Sequence, residues 1–168
     1  MSSVEISTVT ESDRRLLRRC VALARLALDE GDAPFGSLLT DASGSVLFVD
    51  RNRTGGGDPT LHPEFAIARW AAGNLAPDER RSSVVYTSGE HCPMCSAAHA
   101  FVGLGRIVYA SSTAQLISWR HSLGFTAAPV AGLPINVVAP DVPVSGPDPS
   151  LSEEIRALHA EFLGPAED

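Results

Sequence analysis

Two short stretches carry the residue types that bind metals and move protons: His62-Pro63-Glu64 and Cys92-Pro93-Met94-Cys95. The spacing of Cys92 and Cys95 lets two sulfurs converge on one tetrahedral ion. Each stretch is placed to open a helix, where free N–H groups and a partial positive charge favour thiolates and other anions. His62 makes a third ligand and leaves one position open, which is the pattern of a catalytic zinc rather than a structural one. The open position would take water, acidified by the metal toward neutral pH. Glu64 is too close to His62 to be a convenient fourth ligand and is well placed to exchange protons beside the metal. Two other readings of the cysteine pair are weaker. A redox motif lacks a strand at the start of the chain leading into the pair, and a structural zinc would need His91, His99 or His121, none at a compelling spacing.

The elements that must hold these residues follow from apolar periodicity. Residues 12–30 repeat apolar side chains at helical spacing and end at Gly31. Two short strands, 37–40 and 45–49, flank Asp41-Ala42-Ser43-Gly44 and read as a hairpin. Arg51 to Pro59 is a polar loop whose glycines, 55–57, are not followed by the lysine a phosphate cradle requires. Thr60 is expected to cap a helix over 61–74, with Pro63 in its first turn. A strand over 84–88 leads into a helix opened by Pro93 and running to about Val102. A strand over 106–110, a helix over 114–122 and a last strand over 135–139 follow. Asp141 to Pro149 reads as a proline-rich linker, and Ser150 to Glu153 as a capping box opening a helix to about Leu163. Alternating helices and strands imply a layered α/β domain with a mixed five-stranded sheet. The catalytic domain is expected over residues 1–148, with a C-terminal helix and tail over 149–168 serving as a lid or dimer arm.

Composition narrows the partners. The chain has 168 residues, a formal net charge of −7, and arginine as its only basic side chain apart from histidine. The cluster Arg14, Arg15, Arg18 and Arg19 reads as a solvated helix face, and the C-terminal segment is acidic. A nucleic-acid backbone is therefore an unfavourable partner, and a small, neutral or weakly polar molecule a better one. Three cysteines without an export signal argue against a disulfide framework, and Cys20 reads as a small buried hydrophobe. With no long apolar run and a polar N-terminus, the expectation is a cytoplasmic protein with no membrane contact.

Histidine, one residue, glutamate and a later two-cysteine motif together resemble the cytidine/deoxycytidylate deaminase superfamily. Within it, the sequence is similar to the branch of guanine deaminases and tRNA adenosine deaminases. Ala33-Pro34-Phe35-Gly36-Ser37, Asn52, Asp58-Pro59-Thr60 and Tyr86-Thr87-Ser88-Gly89-Glu90 extend the likeness over roughly residues 14–125. It implies a three-layer α/β/α cytidine-deaminase-like fold, a zinc ion on His62, Cys92 and Cys95, and Glu64 as the proton shuttle. It also implies substrate contacts from Asn52 and Phe35, and a homodimer. His91 stands where relatives usually have proline, and Pro63 where alanine is commoner. Both are candidates to shape the pocket, as is Trp119 on a segment that varies with substrate in the family. The implied substrate is a free aminated base: guanine or a related purine, pyrimidine or triazine. Wobble-adenosine deamination of tRNA and a non-catalytic zinc-stabilised module are the alternatives.

Overall fold

A computed structural model describes residues 8–125 and 128–164. Helix α1, Glu11–Asp29, starts at Thr10, whose hydroxyl accepts the Asp13 N–H while the Asp13 carboxylate accepts the Thr10 N–H. This reciprocal cap satisfies two donors that the first turn would otherwise leave open. Leu17, Cys20, Val21 and Ala24 form its buried stripe. The stripe lies on strand β1, Gly36–Thr40, and the two approach so closely that a Cβ on Gly36 would sit 2.4 Å from Leu23 Cβ.

Strand β2, Val46–Arg51, pairs antiparallel with β1, and β1 pairs antiparallel with β3, Val84–Gly89. Between them lie α2, Pro63–Asn74, and a short α3, Pro77–Ser82. Helix α4, Pro93–Val102, then carries the chain to β4, Arg106–Ser111, which runs parallel to β3. Helices α5, Thr113–Ser122, and α6, Ile135–Val138, precede β5, Val144–Ser145, parallel to β4. Helix α7, Ser152–Leu163, ends the described chain. The sheet order is β2-β1-β3-β4-β5.

Neighbouring residues on the central strands face opposite layers, as the pleat requires. Leu39, Val85 and Ile107 pack with Ile67 and Ala71 of α2, while Leu38, Tyr86 and Val108 pack with α1 and α7. Helices on both faces explain the nearly continuous apolar runs in β3 and β4. The expected mixed five-stranded, three-layer α/β/α architecture is the one observed. Among the described residues no helix is long and apolar enough to cross a membrane.

Three local expectations are corrected. Residues 135–138 form a helical turn, not the last strand, because the Ile135 N–H is taken by the Glu90 carboxylate at 2.9 Å and Ile135 is drawn into the core. The sheet edge is completed instead by Val144 and Ser145, within the segment that reads as a linker, in register with Ile107 and Val108. Nor do the expected caps form. Thr60 bonds Asp58 while His62 occupies the N-cap of α2, and Ser150 bonds Asp148 while α7 begins after Leu151.

Helix α7 is built into the domain. Leu151, Ile155 and Leu158 share a core with α1, Glu161 makes two bonds to Arg25, and Asp148 accepts from Arg14 at 2.7 Å.

Candidate active site

Two helix starts meet at the ends of β1 and β3. Pro63 and Pro93 occupy the first positions of α2 and α4, where a missing N–H costs nothing. His62 and Cys92 are therefore N-caps, with Cys95 one turn further into α4. His62 Nδ1 lies 3.6 Å from the Sγ of both cysteines. Zinc–sulfur bonds of about 2.3 Å and a zinc–nitrogen bond of about 2.0–2.1 Å at a tetrahedral angle place nitrogen and sulfur about 3.6 Å apart. The three side chains thus fit a zinc ion. Among the described residues they are the one such group of metal-ligating side chains.

Glu64 follows on the first turn of α2 and is 6% exposed. Its Oε1 is held by the hydroxyls of Ser37, 2.9 Å away, and Thr87, 2.8 Å away; those hydroxyls are themselves 2.9 Å apart. Its Oε2 lies 3.9 Å from Cys95 Sγ and so faces the ligand trio. Burial pushes the Glu64 carboxyl above the ordinary carboxylate value, while the Thr87 and Ser37 hydrogen bonds pull the other way. A carboxyl so balanced suits a group that must both accept and return a proton. The bond with Cys95 pulls the Cys92 thiol down to about 4, while the bond with Cys92 and burial push the Cys95 thiol up.

A cavity of about 420 Å³ opens over this pole, lined by His62, Glu64, Cys92, Phe35, Asn52 and a far wall from α5 and residues 128–132. Asn52 is oriented by its own turn: its Oδ1 accepts the Thr54 N–H at 2.9 Å and the Thr54 hydroxyl at 2.7 Å. Only the amide NH₂ remains for a ligand, so Asn52 offers a donor rather than both halves of the amide. Phe35 rests on Gly89, where a Cβ would come within 2.9 Å of its ring, and meets His159 of α7 edge-on at 5.0 Å. Burial, with the nearby Arg120 charge, depresses the His159 imidazole to about 4. It is thus an uncharged backing for Phe35 near neutral pH.

Residues 10–111 match the family described as the cytidine and deoxycytidylate deaminase zinc-binding region. The chain belongs to this family. A probable cytosine deaminase of Schizosaccharomyces pombe is 34% identical over 126 residues, 74% of each chain. Guanine deaminase of Bacillus subtilis is 31% identical over 107 residues, 63% of this chain and 64% of that one. tRNA-specific adenosine deaminases also match. The fold matches that of a guanine deaminase from Nitrosomonas europaea with a TM-score of 0.68 at 17% identity, covering 96% and 88% of the two chains. The deaminase family is hydrolytic, and zinc is the cofactor that the matched region and the His62, Cys92 and Cys95 group both call for.

Three expected pocket residues lie elsewhere. Pro63 is buried in the first turn of α2 and is absent from the cavity wall. His91 points away from the cavity because its neighbour Glu90 faces it. The His91 ring is buried against His99, centroids 5.5 Å apart, with no hydrogen-bond partner on either nitrogen among the described residues. Trp119 packs against the α1–α7 core and His159, and the next residue, Arg120, reaches the cavity instead. Ser37, Thr87, Glu90 and Arg120 also stand at the site, where the motif alone does not place them. Glu90 accepts the N–H of Thr113 at 2.8 Å and of Ile135 at 2.9 Å, tying down the starts of α5 and α6.

Proposed function

We propose that this chain deaminates a small aminated heterocycle, most simply a free nucleobase such as guanine or a related purine, pyrimidine or triazine, with release of ammonia. The observation that carries the reading is Glu64: a buried carboxylate with one oxygen fixed by two hydroxyls and the other facing the ligand trio, inside a cavity that fits a ring. His62, Cys92 and Cys95 would hold the zinc, which would acidify a water molecule enough for attack at neutral pH. Glu64 would take one proton of that water and deliver it to the ring nitrogen next to the amino-bearing carbon. It would then move the second proton from the newly attached hydroxyl to the amino group, so that the C–N bond breaks, ammonia leaves and a carbonyl remains. Asn52 donates from its NH₂ to a ring nitrogen or exocyclic oxygen, and Phe35 bounds one side of the ring. These positions fix which carbon meets the attacking water, where a small displacement is costly.

In the same reading α7 braces the cavity through His159, and the protein acts in the cytoplasm as a homodimer. The fully presented ring of Phe101 on α4, 91% exposed, is consistent with a surface that a second copy covers. Wobble-adenosine deamination fits less well, because the chain is acidic overall and, among the described residues, offers no dense basic cluster beyond α1.

The test is ammonia release by zinc-loaded protein from free aminated bases, nucleosides and a tRNA anticodon stem-loop, with Glu64→Ala as the blank. Release from a free base that disappears in the variant supports the reading. Activity on the RNA alone, or undiminished activity in the variant, overturns it.

A further inference from the structure

Helix α5 presents Thr113, Leu116, Ile117 and Arg120 to the cavity, residues that share one face at spacings of three, four and seven. Among the described residues Arg120 is the only basic side chain there apart from His62. Among the described residues its guanidinium has no carboxylate partner and no hydrogen-bond acceptor, whereas Arg14, Arg51 and Arg106, which are also partly buried, are each paired with a carboxylate. The acidic side chains that share the cavity, Glu64 and Glu90, are engaged by other donors and make no ion pair with it. Both oxygens of Glu90 are taken by backbone N–H groups, and Glu64 Oε1 is taken by Ser37 and Thr87.

Away from Glu64 and Glu90, the side-chain groups left free in the cavity are mainly donors. Asn52 offers only its NH₂, Arg120 offers only donors and a full positive charge, and the Thr113 hydroxyl can serve either way. The rest of the far wall is apolar, including Leu116, Ile117, Pro129 and Val130. The 128–132 part of that wall is exposed, so the attraction of Arg120 for an anion comes chiefly from its full charge and its fork of donors. Arg120 also stands where the cavity meets an adjoining recess of about 290 Å³ that it shares with Ile117 and Val130, so there is room beyond a bare ring.

We propose that Arg120 sets specificity, and that the preferred substrate is an aminated heterocycle carrying an anionic group, carboxylate or phosphate, on the side remote from the reacting carbon. This rests on the deaminase reading of the cavity and narrows it. The planar fork of the guanidinium matches either oxyanion with two parallel hydrogen bonds.

Matched pairs differing in that charge test the proposal: cytosine and cytosine-5-carboxylate, cytidine and its 5′-monophosphate, guanosine and its 5′-monophosphate. In zinc-loaded protein, kcat/KM for the anionic member of at least one pair should exceed that of the neutral member by roughly ten- to a hundred-fold. The favoured pair tells carboxylate from phosphate. Arg120→Ala should bring the ratio close to one, Arg120→Lys should keep part of it, and Arg69→Ala, outside this cavity, should keep it whole. A preference for neutral members, or a ratio that Arg120→Ala does not move, overturns the proposal and leaves the deaminase reading intact. Calorimetric binding of the same pairs to zinc-loaded Glu64→Ala protein gives a readout independent of turnover. Arg120-dependent binding of the anionic member with no ammonia released by the wild type would retain the anion site and overturn the deaminase reading. Equal binding of both members would overturn the anion site.

Discussion

The two walls of the cavity are built to different standards. The metal-side wall consists of two helix starts seated on strand ends, with Cys95, Glu64, Ser37 and Thr87 all buried and bonded to one another. The far wall comes from α5, which has no fully buried residue, and from a coil at 128–132 that is mostly exposed. Buried, mutually bonded groups hold position to fractions of an ångström, as proton transfer demands. Exposed side chains on one helix face can change without disturbing a core. In the proposed reading, reaction type belongs to the first wall, and the part of substrate choice that depends on Arg120 belongs to the second.

The sharpest way to break that division is at Glu64. Glu64→Ala should retain zinc yet lose turnover by about 10²- to 10⁴-fold, the span typical of a positioned acid–base group. Metal analysis beside ammonia release separates the two effects. A comparable loss should follow His62→Ala or chelation, but with loss of zinc, and zinc should restore the chelated protein and not the variant. Metal binding should also weaken as pH falls, because the ligand set must be two thiolates and a neutral imidazole.

A smaller effect belongs to the hydroxyls behind Glu64. Thr87→Val keeps the shape and removes one hydrogen bond to a charged group, so kcat should drop about ten-fold with KM nearly unchanged. Thr87→Ser should recover most of the loss. If KM rises instead and kcat holds, the hydroxyl serves substrate binding rather than the carboxylate.

The smallest effect on activity lies outside both walls, where the loss is one of stability. Asp13 joins α1 to the sheet by accepting from Arg106 at 2.9 Å and from Tyr86 at 3.0 Å. Burial pushes its carboxyl up, but the bonds from Arg106, Thr10 and Tyr86 outweigh it and hold the group below the usual carboxylate value. A depressed value means that the native state favours the charged form. That stabilisation is present above about pH 4 and fades as pH falls through the folded value. Asp13→Asn should cost about 1–3 kcal/mol at neutral pH. The gap in Tm between the two proteins should narrow between pH 5 and pH 3, and a constant gap would remove Asp13 as an acid-sensitive tie.

The same division governs what the sequence made legible. His62, Glu64, Cys92 and Cys95 were readable because their types are chemically unusual at that spacing, and the hairpin and main helices because their apolar period is strong. Ser37 and Thr87 were hidden, since a small hydroxyl on a strand has an ordinary packing role until its partner is known. Arg120 looked like any solvated helix arginine. The exchange of strand and helix after α5 had a different cause. Ile135 to Val138 has the β-branched character of a strand, but its first N–H is claimed by Glu90 from 45 residues away. A strand of two residues at 144–145 leaves no period to detect.

Glu90 has a wider consequence. One carboxylate grips the chain at the start of α5, at Thr113, and again at the start of α6, at Ile135. Among the described residues between them, Leu116, Ile117, Arg120 and 128–132 face the cavity, while Gln115 and Trp119 tie α5 to α7. The far side of the cavity and the residues leading into the two cysteines therefore share a fixed point, so neutralising Glu90 would loosen the far side without removing a metal ligand.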